Sequence, residues 1–183
     1  LAISPGTARP GTRMPMNVSL DRRLLAEGLG TAFLLIAVVG SGIMAERLAA
    51  GNLALALLAN SLATGGALLA LILTFGGVSG AHFNPVVSLS VAGGQLAWGD
   101  AVAYLVVQVL GAFVGVAAAH GMFEIPLAAS THVRAGGAQA FSESVATFGL
   151  LLTIRGVGRY HPDRVPSAVA AYIVGAYWAT AST

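Results

Sequence analysis

Residues 79–88, SGAHFNPVVS, bring together side chains that could do chemistry: a serine, a histidine, and an asparagine directly before a proline. A serine hydroxyl becomes a nucleophile when a histidine base lies within hydrogen-bond reach. An asparagine amide can instead exchange hydrogen bonds with a polar solute. The stretch follows a long apolar run, and unpaired backbone at membrane depth survives only inside protein or beside a wet cavity. We therefore expect the backbone before Asn84 to line a cavity.

Composition places the chain in a membrane. Of its 183 residues 56% are hydrophobic and only 9% charged, with a mean hydropathy of +0.82, whereas soluble domains carry about 25% charged residues. All nine basic residues are arginine and the net charge is +2, which is too sparse for a nucleic-acid surface. The absence of cysteine excludes disulfides and thiolate ligands. Because no second histidine or carboxylate lies at ligand spacing from His82, we expect neither a metal nor a cofactor.

Five apolar runs are long enough, or nearly so, to cross the bilayer as helices: residues 24–45, 53–75, 101–119, 141–157 and 165–181. A sixth, 84–94, is too short to span. It begins with Asn84 and Pro85, a good helix cap and first helical residue, and ends at Gly93 and Gly94. It is interpreted as a re-entrant half-helix. Gly111 and Gly115 on the third run predict a close helix contact, within the chain or between chains.

The arginines predict the orientation. With residues 1–21 as a flexible cytoplasmic tail, seven arginines lie on the cytoplasmic side of the membrane. Two, Arg47 and Arg134, lie on the extracellular side. The chain also repeats internally, since EGLGTAFLL from Glu27 matches ESVATFGLL from Glu143. Odd numbers of spans per repeat give inverted halves that meet at a site.

At SGAHFNPVV the chain resembles the aquaporin and aquaglyceroporin (major intrinsic protein) family, with Val86 where the family usually has alanine. The resemblance implies an all-α membrane fold of the aquaporin-like inverted repeat. Five transmembrane helices and one half-helix are present, and the second half-helix and sixth span are missing after residue 183. The first repeat would occupy 22–120, an extracellular loop 121–138, and an incomplete second repeat 139–183. The expected protein is a homotetramer in a bacterial inner membrane that passively conducts small neutral solutes.

The resemblance also assigns residues. The pore-lining set would be Gly80, Ala81, His82, Asn84, Pro85 and Val86. Glu27 and Glu143 would be buried structural carboxylates that hold the re-entrant loops, and backbone groups would satisfy the His82 ring. The selectivity filter would include Thr64, twenty residues before Asn84, and Gly175. Two small residues imply a wide filter that passes water, glycerol-like polyols or neutral metalloid acids such as arsenous acid. In the alternative interpretation Thr64 faces another helix.

Two other classes of function compete. A secondary transporter shares the broken helix and the inverted repeat, and would use Glu27 and Glu143 as ion sites. A rhomboid-like intramembrane protease would use Ser79 within GVSG as its nucleophile. It would need a histidine base on a later span, and no later span carries one in mid-membrane.

Overall fold

The structure is a computed structural model that describes residues 18–128 and 135–180, and the regular elements in these ranges are helices. They are α1 (Leu20–Leu48), α2 (Leu53–Ser79), α3 (Pro85–Val91), α4 (Trp98–Met122), α5 (Gly137–Tyr160) and α6 (Val165–Ala179), with a 3₁₀ turn at Pro162–Arg164. By length and composition α1, α2, α4 and α5 could each cross a membrane. The 15 residues of α6 fall short of the roughly 20 that a full span needs. The predicted all-α membrane fold is confirmed.

The packing of α1 against α4 depends on small residues. A Cβ at Gly111 would overlap the backbone carbonyl of Gly28, and one at Gly115 would overlap that of Ala32. Close approach of backbones is how transmembrane helices gain contact energy, because lipid supplies no hydrophobic drive between them. The predicted close contact at this glycine pair therefore lies within the chain. The buried face of α4 recurs every three to four residues, at Ala101, Tyr104, Gln108, Gly111, Gly115 and Ala119.

The short helix α3 packs into a buried apolar cluster. Phe83, just before α3, and Val87, on α3, lie with Leu68 of α2, Leu150 of α5 and Val169 of α6. This cluster joins α2 and α3 to α5 and α6. At its edge the Tyr172 hydroxyl of α6 donates to the carbonyl of Ala146 of α5 at 2.8 Å.

The observed boundaries differ slightly from the predicted segments. Helix α1 already begins at Leu20, inside the predicted tail, whose residues 1–17 lie outside the described part of the chain. The half-helix is shorter than 84–94, because Asn84 caps it from outside and Gly93 takes a left-handed φ of 77° in the following turn. The predicted loop 121–138 loses its first two residues to α4 and its last two to α5, and its residues 129–134 lie outside the described ranges.

Candidate functional site: a re-entrant loop held by a buried carboxylate

The loop between α2 and α3 has an unusual backbone. Gly80, Ala81 and Phe83 all have positive φ, at 92°, 50° and 47°. For a non-glycine residue each such conformation costs about 1–3 kcal/mol and persists only where surrounding contacts enforce it. Ala81 and Phe83 are both buried. The contacts that enforce this conformation come from α1 and from the end of α2.

Those contacts converge on Glu27 of α1, which is completely buried. Its Oε1 accepts from the Ser79 hydroxyl at 2.6 Å and from the His82 backbone N–H at 3.0 Å. Its Oε2 accepts from the Phe83 backbone N–H at 2.8 Å and from the Gln108 amide at 2.9 Å. A carboxylate has about four lone-pair sites, and four donors fill them. The cost of burying this charge is offset by these hydrogen bonds.

The same contacts orient the backbone of the loop. The Ala81 N–H donates to the Ser79 hydroxyl oxygen at 3.1 Å, so three successive N–H groups, from 81 to 83, point toward Ser79 and Glu27. No cis peptide bond is found in the described residues, and in a trans peptide the carbonyl points opposite to the N–H of the next residue. The carbonyl oxygens of Gly80, Ala81 and His82 are therefore turned away from Glu27. No hydrogen bond from the described part of the chain reaches them.

Asn84 closes the start of α3. Its Oδ1 accepts from the backbone N–H groups of Val86 at 2.8 Å and Val87 at 3.3 Å, and Pro85 follows at the first helical position. The cap fixes the side chain, so the amide nitrogen is held on the side away from the helix end. Val86, in the place of the family's usual alanine, is 42% exposed, so its extra methyl groups do not press into the core.

His82 binds a side chain, whereas a backbone partner was expected. Its Nδ1 lies 3.0 Å from the Ser88 hydroxyl, which also receives the Gln108 amide at 3.0 Å and lies 3.3 Å from the Asn84 carbonyl. If His82 donates from Nδ1, the single Ser88 proton can go to Asn84, and every contact is satisfied. The difference arises because α3 brings the Ser88 hydroxyl within hydrogen-bond reach of the ring.

Tyr104 and Gln108 of α4 complete the site, and sequence reasoning missed both. The buried Tyr104 hydroxyl donates to the Ser79 carbonyl at 2.9 Å, and Gln108 bridges Glu27 and Ser88. Arg23 pairs with Asp100 at 2.6 Å and stands over the Tyr104 ring. The signal was present in the sequence: two polar residues four apart in an apolar span, in register with Gly111 and Gly115.

Glu143 was expected to be buried while holding a second re-entrant loop, and because no such loop lies among the described residues this role stays a prediction. The Glu143 side chain is exposed, and its partner is Gln139 of the same helix, at 3.3 Å. Glu27 is covered by the re-entrant loop and by α4. In the described ranges α5 packs only on α6, the 3₁₀ turn and α3, so no loop covers Glu143.

Thr64 and Gly175, the two predicted filter residues, lie in different surroundings. Thr64 is 2% exposed between α2 and α6, and its hydroxyl contacts Asn60 and Tyr177, each at 3.2 Å. Gly175 is exposed, and a Cβ built on it would meet nothing within 4 Å. In the described chain Thr64 lies against α6, and the assignment of Thr64 and Gly175 to a selectivity filter stays a prediction.

Comparison with known proteins decides the family. The model of the family described as Major intrinsic protein matches residues 15–182. The chain belongs to the major intrinsic protein family. Over 166 residues it is 54% identical to Aquaglyceroporin AqpS of Rhizobium meliloti (strain 1021), covering 90% of this chain and 71% of that protein. It is 32% identical to Aquaporin NIP3-1 of Oryza sativa subsp. japonica, covering 87% of this chain and 51% of that protein.

A solved structure agrees with this assignment. The X-ray structure of the aquaglyceroporin from Plasmodium falciparum matches with a TM-score of 0.72 and 25% identity, covering 90% of this chain and 74% of that one. Major intrinsic proteins are membrane channels with several spans and are not enzymes. The site agrees, because Ser79 donates its proton to Glu27 and the neighbouring His82 binds Ser88. The protease interpretation therefore fails.

Proposed function

We propose that this chain forms the half-helix side of a passive channel for water, glycerol-like polyols and neutral metalloid acids such as arsenous acid. The observation that carries the proposal is the outward row of carbonyls at Gly80, Ala81 and His82, followed by the capped amide of Asn84. Carbonyl acceptors and one amide donor can replace the hydrogen bonds that a neutral solute gives up when it leaves water.

Electrostatics at this point disfavours cations. The N-terminus of a half-helix carries a partial positive charge, and that of α3 adjoins Asn84. The full negative charge of Glu27 lies on the other side of the loop and is already paired with four donors. A passing cation would therefore meet a positive helix end, with no unpaired carboxylate beside the carbonyl row.

Because all four acceptor sites of Glu27 are filled, Glu27 is also a poor ion site for a secondary transporter. An ion-coupled transporter needs a carboxylate that can release its partners to bind and discharge an ion in each cycle. Releasing Glu27 would leave four buried donors without an acceptor, at a cost of about 1–3 kcal/mol each. Glu143, the second candidate for an ion site, is exposed and bonded to Gln139.

The membrane setting is part of the proposal. Arg22 and Arg23 at the start of α1, and Arg155, Arg159 and Arg164 near the turn between α5 and α6, fall on one side of the described chain, which supports a cytoplasmic N-terminus in the inner membrane. Assembly as a homotetramer, and inverted repeats over 22–120 and 139–183, are proposed from the family likeness.

Stopped-flow measurements on proteoliposomes of the full-length protein test this function. We expect water and glycerol fluxes above those of empty liposomes, not changed by a proton or sodium gradient. Arsenous acid uptake is measured in the same vesicles. Flux that requires an ion gradient would point to the carrier, and fluxes equal to those of empty liposomes would refute the channel.

A further inference from the structure

Resting on the proposed membrane channel, we infer that one face of α5 binds an anionic phospholipid of the cytoplasmic leaflet. Arg155 and Arg159 bind the lipid phosphate, and the apolar side chains of Val145, Phe148 and Leu152 bind an acyl chain. Spacings of three and four residues place all five on one face of the helix. All five are exposed, the three apolar residues by 46%, 69% and 61%.

The depth of this face fits a single lipid leaflet. Helix α5 is the least covered of the four candidate spans, since 6% of its most apolar part is buried against 28% in each of the other three. Arg155 and Val145 are ten residues apart, about 15 Å along the helix, and half of the hydrocarbon core is also about 15 Å thick. A phospholipid whose phosphate lies at Arg155 therefore covers Leu152, Phe148 and Val145 with its chain.

The positive charge at the end of this face has no carboxylate partner among the described residues. The ion pair of that part of the chain joins Arg23 to Asp100 at 2.6 Å, which leaves Arg155, Arg159 and Arg164 unpaired. A guanidinium can bind a phosphate through two parallel N–H groups. Basic residues grouped beside the cytoplasmic end of a span attract anionic lipid headgroups. The charges therefore favour an anionic lipid over a zwitterionic one.

Local contacts position both arginines for such a headgroup. Arg155 donates from Nη2 to the Ser90 carbonyl at 2.6 Å, and a guanidinium has five N–H donors, so enough remain for a phosphate. The Arg159 guanidinium carbon lies 5.7 Å from the centre of the Tyr160 ring. That ring is exposed, and tyrosine rings are enriched at the level of the headgroups. Because Arg155 also binds Ser90, the phosphate lies beside the C-terminal end of α3.

A second copy of the chain fits this face less well than a lipid does. On the cytoplasmic side, the carboxylates at the surface of the described chain are Asp21, Asp100 and Asp163. Asp100 is paired with Arg23, and Asp21 and Asp163 are each followed directly by an arginine. They offer no net negative surface to the two arginines of α5, whereas the phosphodiester of an anionic lipid does.

Native mass spectrometry of the full-length protein, titrated with lipid in mild detergent, tests the phosphate site. We expect phosphatidylglycerol to bind more tightly than phosphatidylcholine with the same acyl chains. Arg155→Gln and Arg159→Gln should each weaken phosphatidylglycerol binding by about fivefold. Arg22→Gln is the matched control, since Arg22 is exposed on the same side of the membrane, and it should leave the binding unchanged. Equal affinities for the two lipids in the unmodified protein, or an equal loss in Arg22→Gln, would overturn the inference.

A second pair of variants tests the acyl-chain face. Phe148→Ala should weaken the binding of both lipids alike, because an acyl chain loses its contact with the ring. Phe113→Ala on α4 is the matched control, since Phe113 is 71% exposed and Phe148 is 69% exposed. If Phe148→Ala lowers the melting temperature or dissociates an oligomer while lipid binding is unchanged, protein covers this face and the inference is refuted.

These measurements do not depend on conduction, so the two proposals can fail separately. A protein that conducts glycerol but does not prefer phosphatidylglycerol would refute the lipid site and leave the channel in place. A protein that binds phosphatidylglycerol through Arg155 and Arg159 but conducts neither water nor glycerol would support the lipid site and refute the proposed function.

Discussion

At the scale of single residues, the organising group is one buried carboxylate. Glu27 accepts two of its four hydrogen bonds from the backbone of a loop whose conformation is intrinsically strained at Ala81 and Phe83. A neutral acceptor could not match it, because hydrogen bonds to a charged group are about twice as strong as those between neutral groups. The Glu27 carboxylate therefore binds the N–H groups of the loop, and the carbonyl groups of the loop remain available to a solute.

Glu27→Ala should lower the stability of the folded protein, because four buried donors would lose their acceptor at about 1–3 kcal/mol each before relaxation. Thermal unfolding in detergent and the yield of inserted protein measure the effect. Glu46→Ala is the matched control, since that carboxylate lies on the same helix, is exposed, and should change stability by no more than about 0.5 kcal/mol. Equal losses in the two variants would contradict the role given to Glu27.

Asn84→Asp should weaken the exclusion of cations, because a negative charge would stand where the α3 N-terminus now presents a positive one. Cation conductance of proteoliposomes, measured beside glycerol flux, shows the effect. Asn52→Asp is the control: Asn52 caps α2 in the same way, through a bond from Leu55 N–H at 3.1 Å, but at an exposed loop. Equal cation leaks in the two variants would mean that Asn84 does not face the conduction path.

At the scale of helices, the backbone contact between α1 and α4 fixes the positions of the residues that hold the re-entrant loop. Glu27 and Gly28 are consecutive, so the contact of Gly28 with Gly111 holds the carboxylate beside Gln108. The end of α3 is tied to the second half in a similar way, because Arg155 of α5 donates to the Ser90 carbonyl at 2.6 Å. A cation at that end also complements the negative pole of the half-helix.

Gly111→Ala should separate α1 from α4 and cost about 1–3 kcal/mol, the usual penalty of overpacking a tight contact. Gly66→Ala in α2 is the matched control, since a Cβ there meets nothing within 4 Å and alanine favours a helix. Thermal stability in detergent separates them. A destabilised Gly66→Ala beside an unaffected Gly111→Ala would show that this interface is not close-packed in solution.

At the scale of the whole molecule, much apolar surface remains on the outside. Large side chains of α4 such as Val106, Leu110 and Phe113 are exposed, as expected of helices that face lipid or a second copy of the protein. Native mass spectrometry of the full-length protein in mild detergent should show four chains, as proposed from the family likeness. A species of one chain only, under conditions in which glycerol flux is retained, would exclude an obligate tetramer.

The sequence by itself determined the membrane class, the long helices and the re-entrant turn at Asn84-Pro85. These follow from local physics: lipid requires continuous apolar helices, and asparagine followed by proline starts a helix. The sequence also picked out Glu27, because a carboxylate in an apolar span needs a partner.

Only the tertiary structure decided which partners those groups have. The repeat made Glu27 and Glu143 look equivalent, but burial depends on what packs over a residue, and in the described chain a loop covers only Glu27. The spacing of twenty residues before Asn84 pointed to Thr64. Which residue of α6 contacts Thr64 depends on how α6 is rotated about its axis. Rotation is set by contacts among side chains far apart in sequence, such as Trp178 with Ser61. It therefore cannot be obtained from spacing along one chain.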